Sequence, residues 1–223
     1  MTKPVNIFSN IYLIGGPELS YSYDCLIYLI DFGDLVIIDS GVGLSSQLIE
    51  DNILSLGFNP DKITTVIATH SHFDHIGSLH YFKDKYHAKI VAHELDAVSI
   101  EKGINTAAEV YNVKYIPCPV DKKIKGETET LHFGNNKLNI VHTPGHTEGS
   151  IAVYMDTDGK RVLFGQDIHG PYLPEWGADI IKARKSLQKL IDLKADILCE
   201  GHFGIFEPAS EVQDFISKYL KKL

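Results

Sequence analysis

Hydrophobic residues are arranged in short β-branched runs that alternate with longer stretches of helical spacing. In the first forty residues the apolar runs are brief and broken by glycine, which predicts antiparallel strands joined by tight turns. Two further hairpins are indicated where apolar runs flank 134–137 and 156–160. The predicted strands are Asn6–Ile14, Cys25–Ile30, Leu35–Asp39, Ile63–Ala68, Lys89–Ala92, Leu131–Phe133, Leu138–Val141, Ser150–Met155, Arg161–Phe164 and Asp196–Cys199.

Four other stretches have apolar positions every three or four residues, the spacing of a helix with one buried face. The predicted helices are Ser45–Leu56, Ile76–Tyr86, Asp179–Leu193 and Ser210–Leu220. Strands therefore occur in two blocks that helices follow, which predicts an α/β protein with two sheets packed face to face and helices outside. We find no linker, low-complexity stretch or close repeat, so we expect a single domain over residues 1–223.

Composition narrows the class of partner. The net charge of −8 argues against nucleic acid or an anionic membrane as the partner, so we expect a small-molecule substrate. The oligomeric state stays open, a homodimer included. There is no apolar run of membrane-spanning length and no signal-peptide pattern, and the three cysteines are widely spaced and odd in number. We therefore expect a cytoplasmic location without a disulfide framework.

The segment 69–75 reads Thr-His-Ser-His-Phe-Asp-His and follows a predicted buried strand. Several ionisable groups side by side are costly to bury unless a partner compensates them, and a bound cation is such a partner. His and Asp are the usual ligands of zinc, iron or manganese when no thiolate takes part. In a strand-like segment His70, His72 and Asp74 share one face, while His75 turns aside. This arrangement would suit two neighbouring metal ions.

Polar residues also stand at the ends of other predicted strands. Asp39 ends the strand before the first helix, and His146 lies in a Pro-Gly turn after a strand. Asp167 and His202 each follow a strand in the second half. Glycine beside three of these residues allows the backbone to turn sharply and a bound group to approach closely. Taken together with 69–75, these residues predict a shell of metal ligands.

This set of residues resembles the signature of the metallo-β-lactamase-fold hydrolases, which is His-x-His-x-Asp-His followed by a separate His, Asp and His. The resemblance covers essentially the whole chain and includes Thr-Pro-Gly-His-Thr-x-Gly-Ser at 143–150. It implies a four-layer αβ/βα sandwich of two mixed sheets, with two divalent metal ions at one edge. The expected metal is zinc, and iron or manganese are the alternatives. The implied ligands are His70, His72 and His146 for one metal, Asp74, His75 and His202 for the other, and Asp167 between both.

The resemblance also implies a reaction. A hydroxide that bridges the metals would attack the carbonyl carbon of a small ester, thioester or lactone, as in the glyoxalase II and lactonase branches. Asp74 would relay a proton to the leaving group, and Asp39 would accept a hydrogen bond from a ligand imidazole. The alternative is an iron-dependent oxidoreductase similar to the persulfide dioxygenases. Because β-lactamases of the superfamily commonly carry Cys in place of Asp167, antibiotic hydrolysis is not expected.

Other residues near the predicted ligands could have either a functional or a structural role. His169 is either a proton donor or substrate contact, or a solvated loop histidine. The aromatic loop 170–176, with Tyr172 and Trp176, either walls the substrate pocket or packs at the surface. Cys199 lies three residues before His202, and its place in a strand favours a buried apolar role.

Overall fold

A computed structural model describes residues 3–223 and contains two mixed β-sheets with helices. The chain divides into two units, the first ending at Ile124 and the second comprising Lys125–Leu223. Each unit contains one sheet. Residues 1 and 2, which the predicted single domain includes, lie outside the described residues. Among the residues described, no helix is both long enough and apolar enough to cross a bilayer.

The first unit has a seven-stranded sheet. Its strands are β1 (Val5–Phe8), β2 (Ile11–Gly15), β3 (Ile27–Asp31), β4 (Leu35–Ile38), β5 (Ile63–Ile67), β6 (Lys89–His93) and β7 (Lys122–Ile124). They lie across the sheet in chain order. Strands β1 to β4 pair antiparallel, whereas β4 to β7 pair parallel, so the carboxyl ends of β4, β5 and β6 meet at one edge.

Helices pack against both the antiparallel and the parallel part of this sheet. They are α1 (Ser46–Ser55), α2 (Phe73–Ile76), α3 (Leu79–Tyr86) and α4 (Glu94–Lys102). Helix α1 packs against β2, α3 against β5, and α4 against β6. The β-branched residues Val66 and Ile90 are fully buried against Ile53 and Phe82 of the helices. This hydrophobic core supports the strand ends that carry the polar residues.

The second unit has a six-stranded sheet and two helices. The strands are β8 (Thr128–Phe133), β9 (Asn136–His142), β10 (Ile151–Thr157), β11 (Lys160–Gln166), β12 (Ile197–Glu200) and β13 (Ile205–Phe206), and the helices are α5 (Ile180–Asp192) and α6 (Ala209–Leu220). The spatial order is β13-β12-β11-β10-β9-β8, with β11 and β12 parallel and the other pairs antiparallel. Leu187 and Ile216 of the two helices bury their side chains with Leu198 of β12.

The structure corrects the prediction for the segment after β5. The strand β5 ends at Ile67, the backbone bends at residues 69–71, and Phe73–Ile76 form the helical turn α2. The backbone N–H of Phe73 donates to the carbonyl of Thr106 (2.7 Å), which fixes the start of this turn. Asp74 therefore does not share one face of a strand with His70 and His72, and that part of the prediction is wrong.

Other elements also differ from their predictions, and the short strands β7 and β13 were not predicted. The helix predicted over Ile76–Tyr86 is divided, since Ile76 ends α2 and α3 begins at Leu79 after Ser78, whose φ of −96° and ψ of 8° interrupt the helix. Asn6–Ile14 is a hairpin rather than one strand, with its turn at Ser9 (φ 52°). Helix α4 was not predicted, since Leu95 and Val98 are exposed and blur the apolar periodicity.

One ion pair ties α1 to α3 and gives the first unit an acid-sensitive contact. Burial opposes ionisation of Glu50, but hydrogen bonds from Lys85 Nζ (2.5 Å) and the Tyr81 hydroxyl (2.6 Å) lower its pKa to about 2. A carboxyl group with a folded pKa below its unfolded value of about 4.3 stabilises the fold above that value. The contribution is lost as the pH falls through the folded pKa.

We therefore expect Glu50→Gln to be less stable than the wild type near neutral pH, with the difference shrinking between about pH 4.5 and pH 2. Urea unfolding at a series of pH values measures this, and Asp51→Asn on the exposed side of the same helix is the control. A difference that stays constant across that range would contradict the role of the pair.

Candidate metal centre

The first group of predicted residues lies between the end of β5 and the end of α2. His70, His72, Asp74 and His75 are all buried. The ring centroid of His70 lies 4.7 Å from that of His72 and 4.0 Å from that of His75. His75 Nε2 lies 3.5 Å from Asp74 Oδ2. Within the first unit the structure thus brings three imidazoles and one carboxylate together.

Asp39 holds two of these imidazoles in a defined orientation. Its Oδ2 lies 2.8 Å from His75 Nδ1 and accepts a hydrogen bond from the N–H at that nitrogen. Thr69 donates to the same carboxylate from its backbone N–H (2.8 Å) and its hydroxyl, and Thr69 Oγ1 lies 3.2 Å from His70 Nδ1. Because the Nδ1 atoms are engaged, Nε2 of each ring is the atom directed to a cation.

The backbone of the segment is fixed by groups from other elements. The N–H of Ser71 donates to Asp96 Oδ2 on α4 (2.8 Å), and the N–H of Ser40 donates to the carbonyl of His75 (2.7 Å). Asp96 is buried. These bonds reduce the freedom of the four side chains before any ion binds.

In the second unit His146, Asp167 and His202 come together. His146 Nε2 lies 3.3 Å from Asp167 Oδ2, and His202 Nε2 lies 3.4 Å from Asp167 Oδ1. The two oxygens of one carboxylate therefore face two different imidazoles. Gly145, at φ 145°, makes the turn before His146 possible, since a Cβ there would lie 2.4 Å from the backbone of Ala183.

The loop after Asp167 orients His146. The carbonyl oxygen of Pro171 lies 3.0 Å from His146 Nδ1 and accepts a hydrogen bond from the N–H at that nitrogen. The Tyr172 hydroxyl donates to the carbonyl of Ile168 (3.0 Å), and the Tyr172 ring stands edge-on to His146. Burial, together with the charges of Asp167 and Glu200, raises the pKa of Tyr172, so the hydroxyl remains a donor. This part of the aromatic loop therefore packs on a predicted ligand.

Glu200 at the end of β12 was missed by the sequence analysis. It is fully buried, and its Oε2 accepts hydrogen bonds from the backbone N–H groups of His202 (2.7 Å) and Phe203 (2.8 Å). Its Oε1 lies 2.9 Å from His169 Nδ1. A carboxylate directly before Gly201-His202 was the available signal, whereas its link to His169 required the structure.

The distances within each unit fit a bound cation. Two ligand atoms on one tetrahedral zinc-sized ion, with bonds of about 2.0–2.2 Å, are separated by about 3.4 Å. The three imidazole–carboxylate separations given above are 3.3, 3.4 and 3.5 Å. All three join an imidazole Nε2 to a carboxylate oxygen, the donor set of zinc, iron and manganese sites. The His/Asp clusters are therefore suited to binding metal ions.

Two buried cysteines lie in the core strands and their surroundings. Cys25 lies close to Asp39 and His75, and burial raises the pKa of its thiol to about 12. Cys199 is buried in β12, and burial raises its pKa as well. The place of Cys199 in a buried strand agrees with the apolar role predicted for it.

The chain belongs to the metallo-beta-lactamase superfamily, whose family model matches residues 22–202. This finding confirms the predicted family, and the two mixed sheets with helices confirm the predicted α/β fold class.

Similar proteins of several kinds share this family. The acyl-coenzyme A thioesterase MBLAC2 of Gallus gallus is 25% identical over 215 residues, covering 84% of this chain and 74% of the relative. The probable metallo-hydrolase YqgX of Bacillus subtilis is 28% identical over 151 residues, or 67% of this chain and 66% of the relative. Among solved structures, a HARLDQ-motif mutant of a metallo-beta-lactamase from Cronobacter sakazakii has a TM-score of 0.84 at 18% identity, covering 100% of this chain and 95% of that one.

Proposed function

We propose that the chain is a hydrolase of small esters, thioesters or lactones that works with two divalent cations. The observation that carries the proposal is Asp167, whose two carboxylate oxygens face His146 and His202 separately. One carboxylate placed between two imidazoles in this way suits a group shared by two ions.

The proposed ligand assignment follows the family pattern. His70, His72 and His146 would hold one ion, Asp74, His75 and His202 would hold the other, and Asp167 would contribute to both. Zinc is the proposed metal because the set contains only imidazole and carboxylate groups at tetrahedral separations, with iron or manganese as alternatives.

The chain's own groups have defined tasks in the proposed reaction. When bound, the cations supply an acidified water and a positive charge for the carbonyl oxygen. Asp39 keeps the proton of His75 on Nδ1, and the carbonyl of Pro171 does the same for His146. Asp74 is buried, and we assign to its carboxylate the transfer of a proton to the leaving atom. Burial of these groups strengthens each electrostatic contact.

Among the three bonds we favour the thioester. The relative MBLAC2 is named as an acyl-coenzyme A thioesterase and aligns with 84% of this chain. A leaving thiolate is a soft anion that a zinc ion stabilises well. We also propose that the partner is this small molecule rather than nucleic acid or membrane, and that the protein works in the cytoplasm, where its free cysteines stay reduced.

A substrate panel tests the proposal. Protein loaded with zinc, iron or manganese is assayed on matched thioesters, aryl esters, lactones, phosphodiesters and persulfides, with the double variant His70→Ala/Asp167→Ala as the metal-free control. We expect the zinc form to cleave thioesters fastest and the double variant to be inactive. Activity confined to phosphodiesters would contradict the proposal. Oxygen uptake on persulfides by an iron form with one ion per chain would favour the dioxygenase alternative instead.

A further inference from the structure

His169 is held by a buried carboxylate in one orientation. Glu200 Oε1 accepts from the backbone N–H of His169 (3.3 Å) and lies 2.9 Å from its Nδ1. Its other oxygen accepts from two backbone N–H groups of the following turn. Because Glu200 accepts from three backbone N–H groups, its oxygens act as acceptors here, and in a neutral His169 ring the proton lies on Nδ1. Nε2, on the opposite edge, is then a hydrogen-bond acceptor.

The His169 ring lies beside a proposed metal ligand and is partly exposed. The His169 ring is 5.1 Å from the His202 ring and 4.7 Å from the Phe203 ring, measured between centroids. The His169 side chain is 16% exposed, and Phe203 is 57% exposed. We call His169, His202 and Phe203 the His169 wall. It combines a ring nitrogen of His169 with the exposed apolar ring of Phe203.

Two simpler roles explain less of this geometry. The turn after β12 is already held by the N–H groups of His202 and Phe203 on Glu200, so it needs no imidazole. A role as a resident metal ligand is not supported either, because no metal-binding group among the described residues includes His169. A contact with substrate remains the role that uses Nε2.

The charge next to the wall indicates what kind of substrate would lie there. Tyr219 of α6 packs against Phe203, with ring centroids 6.3 Å apart. The ammonium groups of Lys218 and Lys222 lie 5.5 Å and 4.5 Å from the centre of the Tyr219 ring. Both lysines are exposed at the end of α6. This surface suits a long leaving group with an apolar start and an anionic far end.

We propose that His169 Nε2 accepts a hydrogen bond from an amide N–H on the leaving thiol, so that the substrates are thioesters of cysteamine-type thiols. Such a thiol carries its amide N–H two methylene groups from the sulfur, as coenzyme A does. The methylene groups lie on Phe203, and the anionic end lies toward α6. This inference rests on the proposed function, since it assumes that the sulfur leaves beside His202.

A matched pair of thioesters tests the hydrogen bond. One substrate carries an acyl group on N-acetylcysteamine, and the other carries it on the same thiol with the N–H replaced by CH2. We expect the wild type to prefer the amide substrate in kcat/KM by about two- to tenfold, the range of one net hydrogen bond. His169→Phe, which keeps a ring without an acceptor, should lose the preference. His169→Gln, whose side-chain oxygen accepts, should retain part of it.

Controls separate recognition from structure. Phe203→Leu alters the same wall without removing the acceptor and should lower both kcat/KM values by the same factor. His132→Gln on the exposed side of β8 should change neither value. Nitrogen NMR of the histidine rings at slightly alkaline pH should report a protonated Nδ1 and an unprotonated Nε2 for His169, and Glu200→Gln should remove that bias.

Each outcome decides one of the two proposals. If wild-type protein cleaves both thioesters equally, or if His169→Phe lowers both equally, the contact between His169 and substrate is wrong while the hydrolase stands. If no metal form cleaves either thioester but other esters or lactones are cleaved, thioester hydrolysis and this inference both fall. If nothing on the carbonyl panel is cleaved, the proposed function itself is wrong.

Discussion

Asp167→Asn is expected to lower kcat/KM about a thousandfold and to reduce the metal content of the protein. Replacing a group that only supports a ligand costs 10- to 100-fold, and Asp167 is proposed to be a ligand of both ions, so a larger loss should follow. The amide has nearly the shape of the carboxylate but lacks its charge. It also presents an NH2 group to one of the two imidazoles that lie 3.3 and 3.4 Å away.

Metal analysis of the purified variant, kinetics on a thioester and a thermal melt together check this expectation. The matched control is Asp158→Asn, an exposed turn residue at φ 45° where Asn is well tolerated. The fold itself should persist in Asp167→Asn without metal, because no hydrophobic contact is changed. A variant with full metal content and a rate within about threefold of the wild type would show that Asp167 is not a shared ligand.

Asp39→Asn is expected to weaken metal binding by about 10- to 100-fold while leaving every proposed ligand in place. Asp39 Oδ2 accepts a hydrogen bond from His75 Nδ1–H at 2.8 Å, and Oδ1 accepts a hydrogen bond from the backbone N–H of Thr69. In the variant the amide oxygen can accept the hydrogen bond from Thr69. The NH2 group of the same amide then faces His75. The imidazole must then move its proton to Nε2, where the lone pair for a cation is lost.

Competition with a chromophoric chelator measures the affinity, and histidine nitrogen NMR of the metal-free protein measures the tautomer of His75. Backbone strain does not confuse the result, since Asn adopts the φ of 62° found at Asp39 about as readily as Asp. Asp34→Asn in the exposed turn between β3 and β4 is the control. An unchanged affinity with an altered tautomer would mean that His75 does not bind metal through Nε2.

Much of the candidate centre could be predicted from sequence because its signals are local. His70, His72, Asp74 and His75 lie within six positions after a buried strand, and His146, Asp167 and His202 each follow a strand with a glycine one or two positions before them. The fold class followed from two blocks of apolar runs. What failed was the local geometry at Phe73–Ile76, where four residues are too few to show a period.

The supporting contacts could not be predicted, for a different physical reason. Thr69 and Asp39 are 30 positions apart, and Pro171 supplies a backbone carbonyl, which has no sequence signature. Glu200 stands in a strand whose other positions are apolar, and its partner His169 lies 31 positions earlier. Such pairs depend on the register of neighbouring strands, here the parallel pairing of β11 with β12.

The left-handed backbone at Asp39 also limits how this protein can be engineered. At φ 62° glycine, asparagine and aspartate are among the residues accommodated at low cost, whereas a β-branched or bulky side chain at position 39 would strain the backbone after β4. His72, with φ −72° and ψ 143°, carries no such restriction. For a different metal, position 72 can therefore be substituted without backbone strain, whereas β-branched or bulky substitutions at position 39 would strain the backbone.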